Sequence, residues 1–258
     1  MLLNGVPYVA KRFFEIGNGR DIVSIDENTA QLTNEMSRLA QGQWFLDKFY
    51  ERAEETETQV SSDFTFSTGI LAQETIGERE PSAASAVTLQ DFLESTSRSP
   101  SSAITWLLEP LRASTIERWS GTLDHPMHAD KPGKTMDAFM HFSYIYSQRS
   151  RLFADLQSQS ASGNRASILF DVMTHTVAQD SGVGDHGLTG ITAVLAGHIC
   201  DTMCEGLEMG EENLILATDG KKKKAGEKCK GTKGKGTGKS RGKQQDRVES
   251  SDEAETSE

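Results

Sequence analysis

Leu32, Met36, Leu39, Leu46 and Phe49 recur at the three- and four-residue spacing of one helix face, and charged groups fill the other faces, so residues 28–53 predict a long amphipathic helix. Residues 7–14 alternate well enough for a strand that Gly17 and Gly19 close in a turn. Residues 63–66 and 70–72 predict a strand or a bent pair. Residues 103–108 form an apolar run that suits a buried strand leaving at Glu109-Pro110. Residues 142–146 and 151–156 suggest a hairpin-like pair across Ser147-Gln148-Arg149-Ser150, and residues 191–204 suggest a terminal helix. The Ser- and Pro-rich stretch 78–100 reads as a surface insertion with a short helix at 89–94. There are no internal repeats. This order predicts an α+β fold of two lobes with a cleft between them.

The 258-residue chain has room for such a core once its end is set aside. Residues 221–243 carry ten Lys and one Arg against one Glu and are laced with Gly; residues 246–258 turn acidic. Neither block has an apolar period that would offset backbone ordering, so 211–258 is expected to be a disordered charged tail. The overall charge of −11 leaves −21 outside the basic block, which argues against a nucleic-acid surface on the folded part. The Lys-rich block itself suits non-specific, salt-sensitive contact with polyanions, or simple solvation. No apolar run reaches membrane-spanning length, and residues 1–10 lack a signal-peptide pattern, so an intracellular setting, cytoplasmic or nuclear, is expected. Three cysteines fit a reducing compartment better than a disulfide framework.

Candidate chemistry concentrates toward the end of the folded part. His175, His198, Cys200 and Cys204 supply the two imidazoles and two thiols of a closed zinc centre, with Cys200 and Cys204 expected on one helix face and Gly197 allowing a bend at His198. The spacing fits equally a buried pair of free cysteines beside unrelated histidines. Gly182-Val183-Gly184-Asp185-His186-Gly187 satisfies G-x-G-x-x-G, yet by itself is better read as a flexible loop. Lys11, mid-strand, is on spacing alone an exposed strand lysine.

Taken together, the order of these motifs says more. Phe139-Met140-His141-Phe142-Ser143-Tyr144 is followed by Asp155-Leu156-Gln157, then Asp171 four residues before His175, then the glycine-rich loop and the His-x-Cys-x3-Cys run. This succession, over roughly residues 9–209, resembles the alpha-kinase family of atypical serine/threonine protein kinases. The resemblance implies a domain at 1–210, with an N-lobe to about 108 and a C-lobe from 109. It implies transfer of the γ-phosphoryl of ATP to a protein Ser or Thr hydroxyl. Lys11 would clamp the nucleotide phosphates, and Glu109 would mark the inter-lobe connection whose backbone bonds adenine. Gln157 would help hold Mg2+, Asp155 would be the acid/base, and Asp171 would serve the reacting centre as nucleophile or metal ligand. His175, His198, Cys200 and Cys204 would hold structural Zn2+.

Departures from the family pattern point to a second reading. Few residues precede the Lys11 strand where the family has further strands, so the N-lobe is expected to be incomplete. Ser158 stands where Gly is usual, 159–166 lengthens the path to Asp171, and 117–121 replaces an asparagine-rich segment. The alternative is a zinc-stapled pseudokinase that acts as a protein-interaction module.

Overall fold

Ser24 begins the longest element of the chain: its hydroxyl accepts from the Glu27 N–H at 3.2 Å while the Glu27 carboxylate accepts from the Ser24 N–H at 3.0 Å. The computed structural model describes residues 1–20, 23–76, 80–112, 115–125, 128–160 and 166–210. The chain divides into two units, Met1–Thr218 and Asp219–Glu258, and all described residues lie in the first. The tail expected from 211 onward lies outside the described residues.

In chain order the elements are strands β1 (Leu2–Leu3) and β2 (Val6–Lys11), helix α1 (Ile25–Glu55), strands β3 (Phe64–Phe66) and β4 (Ile70–Gln73), and helix α2 (Leu89–Arg98). Strands β5 (Thr105–Pro110) and β6 (Glu117–Arg118), helix α3 (Lys131–Tyr146), and strands β7 (Arg151–Ala154), β8 (Gln157–Ser160), β9 (Ser167–Leu169) and β10 (Met173–Thr176) follow. Helices α4 (Gly187–Gly197) and α5 (Thr202–Gly206) complete the order. One antiparallel sheet runs β1-β2-β5-β4, with Lys11 opposite Leu107 and Ile70 opposite Leu108. A second runs β3-β9-β8-β6, in which β3 and β9 are parallel. The third is the antiparallel pair β7 and β10.

Helix α1 lies against the first sheet. The buried Asn28 donates its amide to the Thr105 carbonyl at 2.9 Å, while Leu32, Leu39, Leu46 and Phe49 face the interior. Gly42 brings the helix close to β3: a Cβ there would sit 2.3 Å from the Phe66 ring. The main core joins α1, α3, β3 and β7 through Phe49, Phe66, Phe139, Phe142 and Phe153, whose rings meet mostly edge to face at 5.5–6.0 Å.

Two expectations from the sequence are corrected. Residues 142–146 end helix α3 instead of forming a strand opposite β7. Every residue of that helix from Thr135 to Tyr144 is buried, so it has no solvent face to betray a helical period. The run 191–204 is not one helix either: α4 stops at Gly197 and His198 is extended (φ −77°, ψ 132°). Asp201 then caps α5 by accepting from the Met203 N–H at 2.9 Å and the Cys204 N–H at 3.3 Å.

Candidate functional site

Lys11 ends β2 with its ammonium among carboxylates. Its Nζ lies 2.7 Å from Glu109 Oε2 and 4.0 Å from Glu35 Oε1, and it contacts Asp171 Oδ1. Burial works to lower the Lys11 pKa, but Asp171 and Glu109 outweigh it, and the group is held above its ordinary value. Glu109, expected to matter chiefly through its backbone, is a buried anchor: its Oε1 accepts from Ser67 Oγ at 2.8 Å, and Arg112 Nη1 lies 3.8 Å from its Oε2. Glu35, on the inner face of α1, is pushed upward by burial and only partly eased by Lys11. Lys11, Glu109 and Asp171 open on a cavity of about 170 Å3 that Val9, Arg112, Gln159 and Phe170 also line. A larger depression of about 310 Å3, between α1 and α3 near Lys48, Phe142 and Tyr146, contains none of these groups.

Asp155 and Asp171 are neighbours because β7 and β10 pair. Ala154 stands opposite Met173, so Asp155, just past the end of β7, and Asp171, just ahead of β10, flank the same end of the ladder. Both have φ of 50°, a left-handed conformation that Asp tolerates better than most residues. The Asp155 N–H donates to the Gly121 carbonyl at 3.0 Å, and Arg118 Nη1 lies 4.0 Å from its Oδ1. Burial raises the Asp155 pKa; Arg118 opposes this and the charge of Asp171 adds to it. Gln157 is buried on β8 opposite Arg118. Asp155 and Asp171 repel one another, and such paired carboxylates are oxygen donors of the kind a hard divalent cation takes.

The glycine-rich loop is organised, not slack. The Asp185 carboxylate accepts from Thr176 N (3.0 Å) and Oγ1 (2.6 Å), Ser181 N (3.0 Å) and Oγ (2.8 Å), and Gly187 N (2.9 Å). Burial alone would raise its pKa, but these donors hold it below the usual value. Helix α1 grips the loop, since Arg38 donates to the Ser181 carbonyl at 2.6 Å and Gln31 Oε1 accepts from Val183 N at 3.1 Å. The signal in the sequence was Asp185 inside the loop, one acid with several short donors around it.

The four proposed zinc ligands are not brought together as a set. His198, Cys200 and Cys204 converge with His141 of α3, and the four ligand atoms lie within 4.8 Å of one another. Cys200 Sγ is 3.7 Å from His141 Nδ1, and Cys204 Sγ is 3.5 Å from His198 Nε2. Tetrahedral zinc, at about 2.3 Å from sulfur and about 2.0 Å from nitrogen, separates its ligands by about 3.3 to 3.8 Å, so these residues fit it. Burial pushes His198 down to about 3 and His141 to about 4, which leaves both imidazoles neutral with a lone pair to offer. Burial likewise lifts the Cys204 thiol to about 12, a cost that a bound cation removes by favouring the thiolate.

His175 sits elsewhere. Fully buried on β10, it approaches the Thr122 carbonyl through Nε2 at 2.6 Å, and its Nδ1 accepts from the His186 N–H at 3.2 Å. It is therefore the Nε2–H tautomer, and burial depresses its pKa. Gly190 makes room for the ring, since a Cβ there would lie 2.4 Å from it. His175 and His141 are alike as letters in a sequence; only the course of α3 decides between them.

The family model of the alpha-kinase family matches residues 2–204. Among curated proteins, none matches the chain. Among solved structures, the apoenzyme alpha-kinase domain of myosin-II heavy chain kinase A shares the fold, with a TM-score of 0.52 and 17% identity over 70% of this chain and 59% of that one. The same domain in complex with adenosine gives a TM-score of 0.50 and 17% identity over 71% and 58%. An inactive variant of it in complex with ATP gives 0.50 and 17% over 70% and 59%. The chain thus spans less than two thirds of the length of these domains.

Proposed function

Because this chain belongs to the alpha-kinase family, we propose that it is an ATP-dependent serine/threonine protein kinase whose reacting centre is the cavity between Lys11 and Asp171. The observation that carries this reading is the meeting of Lys11, Glu109 and Asp171 from separate elements at one small cavity, with Asp155 beside Asp171 at the end of the β7–β10 ladder. Phosphoryl transfer needs a cation on the phosphates and an acid/base group near the acceptor, with little covalent help from the protein. Lys11 supplies the cation by exchanging its carboxylate partners for phosphate oxygens, while Glu109, locked by Ser67 and Arg112, keeps the ammonium near the cavity. As the acceptor hydroxyl oxygen bonds to the γ-phosphorus and the bond to ADP breaks, Asp155 accepts the hydroxyl proton. Its raised pKa favours that role. Asp171 and Gln157 would hold magnesium, which when bound neutralises charge on the phosphate oxygens. His141, His198, Cys200 and Cys204 would hold one structural zinc, a closed site that joins α3 to the α4–α5 segment.

The test is phosphate transfer from Mg-ATP to the protein itself or to a basic Ser/Thr peptide, in parallel for the parent and Asp155→Asn. Transfer by the parent that falls at least a hundredfold in the variant is expected. No transfer by the parent defeats the catalytic reading.

One observation favours the alternative of a zinc-stapled interaction module: Lys11 is already surrounded by three carboxylates, which nucleotide must displace. A thermal shift separates the two readings, because ligand at a hundredfold excess over Kd adds about 2.7 kcal/mol of stability. A folded protein with no shift in Mg-ATP is the interaction module.

A further inference from the structure

His125 belongs to no motif read from the sequence, yet it sits behind the metal cluster. Its side chain is 1% exposed, and its Nε2 lies 3.0 Å from Nδ1 of His198. On its other side, His125 Nδ1 lies 3.8 Å from Asp137 Oδ1 of α3, and the second oxygen of that carboxylate accepts from the His128 N–H at 3.3 Å. The contact is close enough that a Cβ on Gly197, the residue before His198, would lie 3.2 Å from His125 Cβ. The His198 nitrogen that faces Cys204 is Nε2, so a ligating His198 carries its proton on Nδ1 and donates it to His125 Nε2. His125 then carries its own proton on Nδ1, turned to Asp137. The arrangement is carboxylate, imidazole, imidazole, ligand position.

His125 also ends a segment that runs past the reacting centre. Trp119 and Ser120 donate backbone N–H groups to the Leu156 carbonyl at 2.8 and 3.2 Å, and Ser120 Oγ accepts from the Leu156 N–H at 2.9 Å. The Gly121 carbonyl accepts from the Asp155 N–H at 3.0 Å, and the Thr122 carbonyl accepts from His175. Residues 119–125 therefore bind the backbone of Asp155 at one end and the back of His198 at the other.

We infer that His125 is a positioning residue: it fixes the tautomer and ring plane of His198 for zinc, and through residues 119–125 it ties the metal centre to the placement of Asp155. This rests on the zinc reading above. A partner of this kind is worth about 10- to 100-fold in metal affinity.

The experiment compares the parent with His125→Phe, which keeps a ring and removes the acceptor, and His125→Gln, whose Oε1 can take the His198 proton. Zinc affinity is read by chelator competition, and the ligand field by the visible absorption of cobalt-substituted protein. Amide exchange is followed at Asp155 and Leu156 with zinc saturating. Expected are a 10- to 100-fold loss of affinity and an altered cobalt spectrum in the Phe variant, recovery of both in the Gln variant, and faster exchange at the two amides in the Phe variant alone. Parent-like affinity and spectrum in His125→Phe overturn the positioning role, and unchanged exchange overturns the link to Asp155. If the Phe variant does not fold, Asp137→Asn replaces it: it keeps shape and removes the charge behind His125, and parent-like affinity there overturns the inference. A parent that holds no zinc at all sinks the zinc reading itself, a different result from a parent that holds zinc indifferent to His125.

Discussion

At the scale of single residues, His141 and His175 separate two functions that a linear reading merges. His141 faces Cys200, whereas His175 joins β10 to the 119–125 segment and to the glycine-rich loop through Thr122 and His186. His141→Ala is expected to lose zinc, while His175→Gln keeps about one zinc per chain and loses about 2–3 kcal/mol of stability from its buried hydrogen bonds. Metal analysis and urea unfolding check both. The pH dependence has a definite sign. A folded His175 pKa below its ordinary 6.5 means that the unfolded chain takes up the proton first, so its contribution is complete above 6.5 and is lost as pH falls below it. The stability gap between parent and His175→Gln should shrink from about pH 7.5 to about pH 5.5; a constant gap argues against a buried neutral imidazole. Lys11 makes a second separation. Lys11→Met removes the cation from Glu109, which is only 2% exposed, and is expected to cost about 1–3 kcal/mol and to abolish the nucleotide-induced shift. Adding Glu109→Gln should restore part of the stability and none of the nucleotide binding. Recovery of binding by the double variant would refute the phosphate-clamp role.

At the scale of elements, what could be read from the sequence depended on whether an element has two chemically different faces. Helix α1 does, and its reading as residues 28–53 falls within the observed Ile25–Glu55. Strand β5, an apolar run closed by Pro110, was equally legible. Helix α3 was not, because it is buried on nearly all sides, polar Thr135, Asp137, His141 and Ser143 included, so no solvent face marks its period. His141, just ahead of the expected hairpin, stands in the sequence only as part of the Phe139–Tyr144 segment; its approach to Cys200 follows from the course of α3. Gly197 signals the break between α4 and α5, whereas the cap by Asp201 shows only in the structure. The lysine, both acids and three of the four cluster ligands were legible as types in order; their partners Glu35, Arg38, Arg112 and His125 were not, because contacts between distant elements leave no local pattern. Gly42 gives an element-scale prediction in which two effects oppose. Alanine is better than glycine in a helix interior by about 1 kcal/mol, but its Cβ would meet the Phe66 ring at 2.3 Å, and overpacking of that kind costs about 1–3 kcal/mol. Phe66 is buried among Phe139 and Phe153 and has little room to yield, so Gly42→Ala should destabilise on balance, and Phe66→Leu in the same chain should relieve part of the loss. A Gly42→Ala variant that melts higher than the parent would show that α1 shifts freely over β3.

At the scale of the whole molecule, charge is divided along the sequence: the Lys-rich block follows the residues that carry the candidate chemistry. Lys11 lies among Glu35, Glu109 and Asp171, and the rest of the chain carries −21 against +10 in residues 221–243. Polyanion contact, if it belongs to the basic block, should be independent of sequence and fall steeply with salt, because Lys and Gly offer counterion release without aromatic stacking. Among the described residues, none of the groups that line the cavity or form the His/Cys cluster comes from beyond residue 204. A chain ending at residue 220 is therefore expected to keep its zinc and its response to Mg-ATP while losing retention on heparin or single-stranded DNA. The three measurements answer different questions. Unchanged retention would place the polyanion contact on the folded part, against its acidic balance. Loss of the nucleotide response would make residues 221–258 part of the catalytic unit, and loss of zinc would mean that Cys229, the one cysteine outside the described residues, takes part in the metal centre.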